Sequence, residues 1–128
     1  MATRILIADD VPELRAIFRL LLQSDQRFEV VGEAADGVEA IAKAAELKPD
    51  LVLLDIAMPR LDGLQAIPKI HQAAPGVRIL VLSGFETDRV AKQAIALCAT
   101  AFLEKGAATE KIIALAHDVA MSPPKMCA

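Results

Sequence analysis

A small set of side chains stands where short apolar runs stop, and their types suit phosphoryl chemistry. Asp9 and Asp10 follow the run at 5–8, Asp55 the run at 51–54, Ser83 the run at 79–82, and Lys105 lies just past the run at 101–103. Such runs read as strands, and in a doubly wound sheet ligand sites gather at the carboxyl ends of strands. If the first and third strands are neighbours, three carboxylates converge on one edge. Two carboxylates ~5 Å apart repel by about 3 kcal/mol at an effective dielectric near 20, so this pocket needs a cation or a proton. Lys105 brings one positive charge, and a divalent ion would bring more. Oxygen ligands with no nearby His or Cys suit Mg²⁺, which takes one or two carboxylates together with waters and a phosphate.

Mg²⁺, a lysine and a hydroxyl beside a carboxylate outline a phosphoryl-transfer site, with a carboxylate as nucleophile. Asp55 suits that part, because it ends the most apolar run while Asp9 and Asp10 suffice for metal. Blander readings exist for each residue. Asp10 before Val11-Pro12-Glu13 has N-cap and capping-box spacing; Ser83 could be one of the many serines that end strands, its weight coming from Gly84, which leaves room for a phosphoryl group; Lys105 alone is a surface lysine. Taken alone, Phe102 reads as core and Asp62 as a cap, while His71 and His117 have no partner spacing.

The elements that must position these residues alternate in period. Apolar runs at 5–8, 30–31, 51–54, 79–82 and 101–103 are mostly continuous, as in strands covered on both faces. Between them, Leu14, Ile17, Phe18, Leu21 and Leu22 form a helical stripe. Val38, Ile41, Ala42 and Ala45 form another; Val90, Ala94 and Ile95 a weaker one; Ile112, Leu115, Ala116 and Val119 a clear one. Leu64, Ile67 and Ile70 suggest a helix with a kink at Pro68. Asp36-Gly37 and Asp62-Gly63 read as turns entering helices, and Lys48-Pro49-Asp50 and Ala74-Pro75-Gly76 as stops. Five β-α units with right-handed crossovers imply a parallel sheet between two helical layers. The expected fold is α/β, a flavodoxin-like (βα)₅ sandwich with strand order 2-1-3-4-5, over residues 1–121. Residues 122–128, with Pro123-Pro124, read as a tail or the start of a linker.

Composition narrows the function. The 128 residues are 55% hydrophobic and 24% charged, enough apolar surface to exclude disorder. Aromatics are 3%, without Trp or Tyr, so there is no stacking platform for single-stranded nucleic acid. A net charge of −3, with basic residues scattered, argues against gripping DNA or an anionic membrane. Cys98 and Cys127 read as free thiols of a reducing compartment. No signal-peptide pattern or membrane-length apolar run is present, so the expected location is cytoplasmic.

The chain resembles the receiver domain of bacterial two-component response regulators over essentially its whole length. The motifs are Ile-Leu-Ile-Ala-Asp-Asp at 5–10, Asp-Leu-Val-Leu-Leu-Asp-Ile-Ala-Met-Pro at 50–59 with Asp62-Gly63, Val-Leu-Ser-Gly at 81–84 and Ala-Phe-Leu-Glu-Lys-Gly at 101–106. The resemblance implies Asp55 as phosphoacceptor and Asp9 and Asp10 as metal acids. It also implies the Ala57 carbonyl as a further Mg²⁺ ligand, Ser83 as switch hydroxyl, Phe102 as switch aromatic and Lys105 as the phosphate's cation. A sensor histidine kinase would be the phosphodonor. The fourth helix, fifth strand and fifth helix would form the face that meets an output domain or a second copy. Such a domain is a signalling phosphoacceptor, promoting only its own phosphorylation and dephosphorylation. The Lys-Gly-Ala ending at 105–107 is similar to receivers that precede helix-turn-helix output domains.

There are departures and competitors. Gly106 stands where receivers usually carry proline, so a trans Lys105-Gly106 bond is expected. Ala57 and Phe85 flank the path of hydrolytic water without a side-chain hydrogen bond to offer, which favours a long-lived phosphate. The alternative is a degenerate receiver acting as a phosphorylation-independent interaction module. A haloacid-dehalogenase-like phosphatase would want an acid at Ala57, and a flavodoxin would want a hydroxyl- and glycine-rich loop at 9–13.

Overall fold

Five parallel strands and five helices alternate along the chain in a computed structural model that describes residues 2–84 and 88–123, with side chains at 88–90 excepted. The strands are β1 (Thr3–Ala8), β2 (Phe28–Ala34), β3 (Leu51–Asp55), β4 (Arg78–Ser83) and β5 (Ala101–Glu104). The helices are α1 (Pro12–Gln23), α2 (Gly37–Leu47), α3 (Gly63–Ala73), α4 (Asp88–Ala96) and α5 (Thr109–Met121). Sheet order is β2-β1-β3-β4-β5, the flavodoxin-like arrangement. Every adjacent pair is parallel, and β1 pairs with β3, Ala8 opposite Leu54.

Because successive strand side chains point to opposite faces, the sheet divides the core in two. Leu6, Ala8, Val52, Leu54, Ile79 and Val81 pack with residues of α2 and α3. Ile5, Ile7, Leu51, Leu53, Leu80 and Leu82 pack with Phe18 and Leu22 of α1 and Ile112, Ala116 and Val119 of α5. β3 is buried along its whole length, which is why its sequence shows no alternation.

Several expectations need correction. The expected N-cap Asp10 does not cap α1: Val11 occupies that position with no side-chain bond, and Pro12 opens the helix. Ile17, assigned to the buried stripe of α1, is 53% exposed. In α2 the buried residues are Gly37, Ala40 and Ala44, and Val38 is half exposed. A helix so rich in alanine carries little periodic signal, and its rotation is set by the backbone of its neighbours. Ile95 of α4 is also exposed, and the side chain of Val90 lies outside the described residues. β2 runs well beyond 30–31, with a register shift opposite Ile5 and Leu6. Cys98 is disulfide-bonded, contrary to the free-thiol reading, a pairing that sequence spacing could not reveal; Cys127 lies outside the described residues.

Other signals match. Asp36 caps α2 by accepting from the Glu39 amide, and Asp62 and Gln65 form a capping box on α3. The helix expected around Leu64, Ile67 and Ile70 is α3, with Pro68 inside it. No described helix is long and apolar enough to cross a membrane.

Two glycines are required by close approach. A Cβ on Gly37 would lie 2.1 Å from the Leu61 carbonyl oxygen, and one on Gly63 2.3 Å from that of Asp55. Both contacts involve the connection between β3 and α3, which follows Asp55 directly. Gly37→Ala should therefore cost about 1–3 kcal/mol. Gly106→Ala, where a Cβ would meet nothing within 4 Å, should be neutral or stabilising by up to about 1 kcal/mol. Urea midpoints of the two variants test this; equal midpoints would contradict the contact.

Candidate functional site

The end of β1 and the end of β3 bring three carboxylates together. Asp9, Asp10 and Asp55 each offer an oxygen, and these oxygens lie within 4.8 Å of one another. Asp9 and Asp55 are 1% and 2% exposed, whereas Asp10 faces solvent. The β1–β3 pairing causes this convergence, since residues just past Ala8 and Leu54 leave the sheet side by side.

Asp9 is gripped on three sides. Its amide donates to the Ala34 carbonyl (3.0 Å), continuing the β1–β2 pairing by one residue. Its Oδ1 accepts from the Val11 amide (2.9 Å), so the side chain of Asp9, rather than Asp10, stabilises the entry to α1. Arg15 Nη1 donates to its carbonyl (2.6 Å). Arg15 is held in turn by Glu33 of β2, whose other oxygen accepts from Arg19. Burial opposes ionisation of Glu33, but the two guanidiniums outweigh it and keep its pKa below the usual value.

Asp55 closes β3. Its Oδ1 accepts from the Ala57 amide (3.2 Å), and its Oδ2 lies 3.0 Å from Lys105 Nζ. The same ammonium lies 3.1 Å from Asp9 Oδ2. Lys105 arrives from the end of β5, where its amide donates to the Ser83 carbonyl (2.9 Å). Ser83 is buried at the end of β4, one residue beyond Leu82, the register partner of Asp55. Gly84 beyond it is exposed, with open space where a Cβ would stand.

The charges do not balance. One ammonium faces two buried carboxylates, with a third carboxylate at their edge. Burial pushes the Asp55 carboxyl up to about 6; proximity to Asp9 adds to this, while Lys105 and the Ala57 amide pull the other way. Burial also works against the charged form of Lys105, but the two acids overcome that and raise its pKa. Asp9 Oδ2 and Asp55 Oδ2 are fully buried and, the ammonium apart, accept no hydrogen bond from the described residues. An all-oxygen donor set whose two buried carboxylate oxygens share a single ammonium fits a small hard cation such as Mg²⁺.

The remaining sequence candidates fall as follows. Phe102 on β5 is half-buried against the α2–α3 side of the core. Ala57 is exposed in the β3–α3 connection, and Phe85 lies outside the described residues. His71 is structural, its Nε2 2.8 Å from the Cys98 carbonyl oxygen. The Lys105-Gly106 bond is trans, as are all described peptide bonds. Sequence reasoning missed Arg15, Glu33 and Arg60. Their contacts join different elements, and no local spacing announces them.

Residues 5–117 match the family of response regulator receiver domains. Over 110 residues the chain is 36% identical to the transcriptional regulatory protein YxjL of Bacillus subtilis, covering 86% of this chain and 50% of that protein. It spans about half the length of such curated relatives. The signal receiver domain of NarL from Mycobacterium tuberculosis superposes with a TM-score of 0.88 at 30% identity, over 93% of this chain and 96% of that one. The response regulator domain of Thermotoga maritima CheB does so with a TM-score of 0.90 at 28% identity, over 97% and 100%.

The raised Asp55 pKa has a stability consequence. The folded state holds the Asp55 proton more tightly than the unfolded chain, about 6 against 3.8. The corresponding stabilisation is full below the unfolded value and is lost as pH rises through about 6. Without divalent ions, Asp55→Asn should therefore be more stable than the parent at pH 7.5 by about 1–3 kcal/mol, the gap closing near pH 4. Urea unfolding across that range checks it, and parallel pH profiles would contradict it.

Proposed function

The chain belongs to the response regulator receiver family, and from that premise we propose that it is a phosphorylation-activated switch that takes a phosphoryl group from a sensor histidine kinase on Asp55. The observation that carries this reading is the undercompensated carboxylate pocket: Asp55 buried at a strand end, beside Asp9, with one shared ammonium. An Asp55 oxygen attacks phosphorus and forms a P–O bond as the P–N bond of the phosphohistidine breaks. The electron pair leaves on the imidazole nitrogen. With a pKa of about 6, Asp55 is mostly carboxylate at neutral pH and ready to attack.

Asp9, Asp10, Asp55 and the Ala57 carbonyl would hold Mg²⁺, which when bound supplies positive charge to offset the transferring phosphoryl oxygens. Lys105, already at the Asp55 carboxylate, pairs with the new phosphate. The phosphate brings a charge of about −1.5 to −2, and the Ser83 hydroxyl follows it. The Ser83 carbonyl bonds the Lys105 amide, so movement at the end of β4 reaches β5, where Phe102 repacks. The face of α4, β5 and α5 then changes its affinity for an output domain or a second copy. Similarity to a transcriptional regulatory protein supports a part in transcription regulation and a cytoplasmic location. Residues 1–121 form the receiver unit in this reading, with a tail or linker from 122.

Incubation with acetyl phosphate and Mg²⁺ should add one phosphoryl group to the parent, read by intact mass. Asp55→Asn or excess EDTA should abolish that gain, and Lys105→Ala should slow it by at least about tenfold. Equal phosphorylation of Asp55→Asn and parent would overturn the assignment.

A further inference from the structure

The connection between β3 and α3 is held by a contact outside the acidic pocket. Arg60 has φ 65°, in the left-handed region that a residue with a Cβ rarely adopts. Its guanidinium reaches across to α2, with Nε 3.0 Å from Asp36 Oδ2 and Nη2 on the same oxygen. The other oxygen of Asp36 accepts from the Glu39 amide as the cap of α2 (2.8 Å). One buried carboxylate thus starts a helix and ties down a loop. Gly37 presses against Leu61 just beyond, and Gly63 N donates to the Ile56 carbonyl (2.8 Å), closing the loop at its base. Within that frame the Ala57 amide bonds Asp55 Oδ1.

We propose that Arg60 is a positioning residue of the acidic pocket: its ion pair with Asp36 holds the 56–62 connection so that the Ala57 peptide meets Asp55, and thereby sets the pocket's affinity for Mg²⁺. This rests on the Mg²⁺ site read above. A left-handed residue persists where its surroundings over-determine it, and here the Asp36 contact does so. The Arg60 side chain is 64% exposed, so the pair is partly screened and its effect modest.

Calorimetric Mg²⁺ titration at low ionic strength tests the proposal. Arg60→Gly keeps the left-handed backbone and removes the strap, and Asp36→Asn keeps a capping oxygen and removes the charge. Each should weaken Mg²⁺ binding by about three- to fivefold, and the double variant no further than either alone. Arg60→Lys should recover part of the loss, and 1 M NaCl should narrow the gap. Long-range charge alone would act differently: losing Arg60 would tighten binding while losing Asp36 weakened it. That opposed pattern, or affinities equal to the parent's in both single variants, would overturn the strap while leaving the Mg²⁺ site standing. A parent that takes up no Mg²⁺ would overturn both.

Discussion

Two buried carboxylates share one ammonium, and the pocket depends on that deficit. Lys105 lies 3.0 and 3.1 Å from oxygens of Asp55 and Asp9, and among the described residues no other donor reaches those oxygens. An isolated acid in such surroundings would keep its proton, and Asp55 leans that way, with burial raising its pKa to about 6. A pocket poised between protonation and ionisation responds strongly to added positive charge. In the phosphoacceptor role proposed for Asp55, the same poise would leave it mostly carboxylate at neutral pH, whereas full neutralisation would blunt it.

The fold serves this deficit through its strand order. Placing β1 beside β3 brings Asp9 and Asp55 together, and placing β4 between β3 and β5 lets Lys105 reach both acids from the far side. The deeper layer is polar and specific. Glu33 fixes Arg15, Arg15 grips the Asp9 carbonyl, and Asp36 with Arg60 restrains the loop after Asp55. Both carboxylates that anchor these straps stay ionised. Asp36 is held below the usual range by the Glu39 amide and then by Arg60, and Glu33 by its two arginines. The pocket's own acid is shifted upward while its supports are shifted downward, which separates supporting groups from reactive ones.

What could be read in the sequence follows from how local each signal is. β3 and β4 were legible because a strand covered on both faces is an unbroken apolar run, and the acids stood out because they end such runs. β2 was only half legible: Gly32 and Glu33 interrupt its pattern, and it carries a register shift. The rotation of α2 was misread because alanines satisfy several stripes equally, whereas the contact of Gly37 with Leu61 admits one. Asp10 resembled a cap by spacing, yet the helix opens at Pro12 and it is Asp9 that bonds the Val11 amide. Arg60 and Arg15 gave no local signal, because their roles exist only once distant elements meet.

The most direct measurement of the central claim is the number of protons released when Mg²⁺ binds, obtained by calorimetry in buffers of differing ionisation enthalpy. If the pocket is short of positive charge and Asp55 is half protonated near pH 6, each ion captured there should expel about half a proton, falling towards zero by pH 8. Binding at pH 6 with no proton release, or no binding at either pH, would contradict the account.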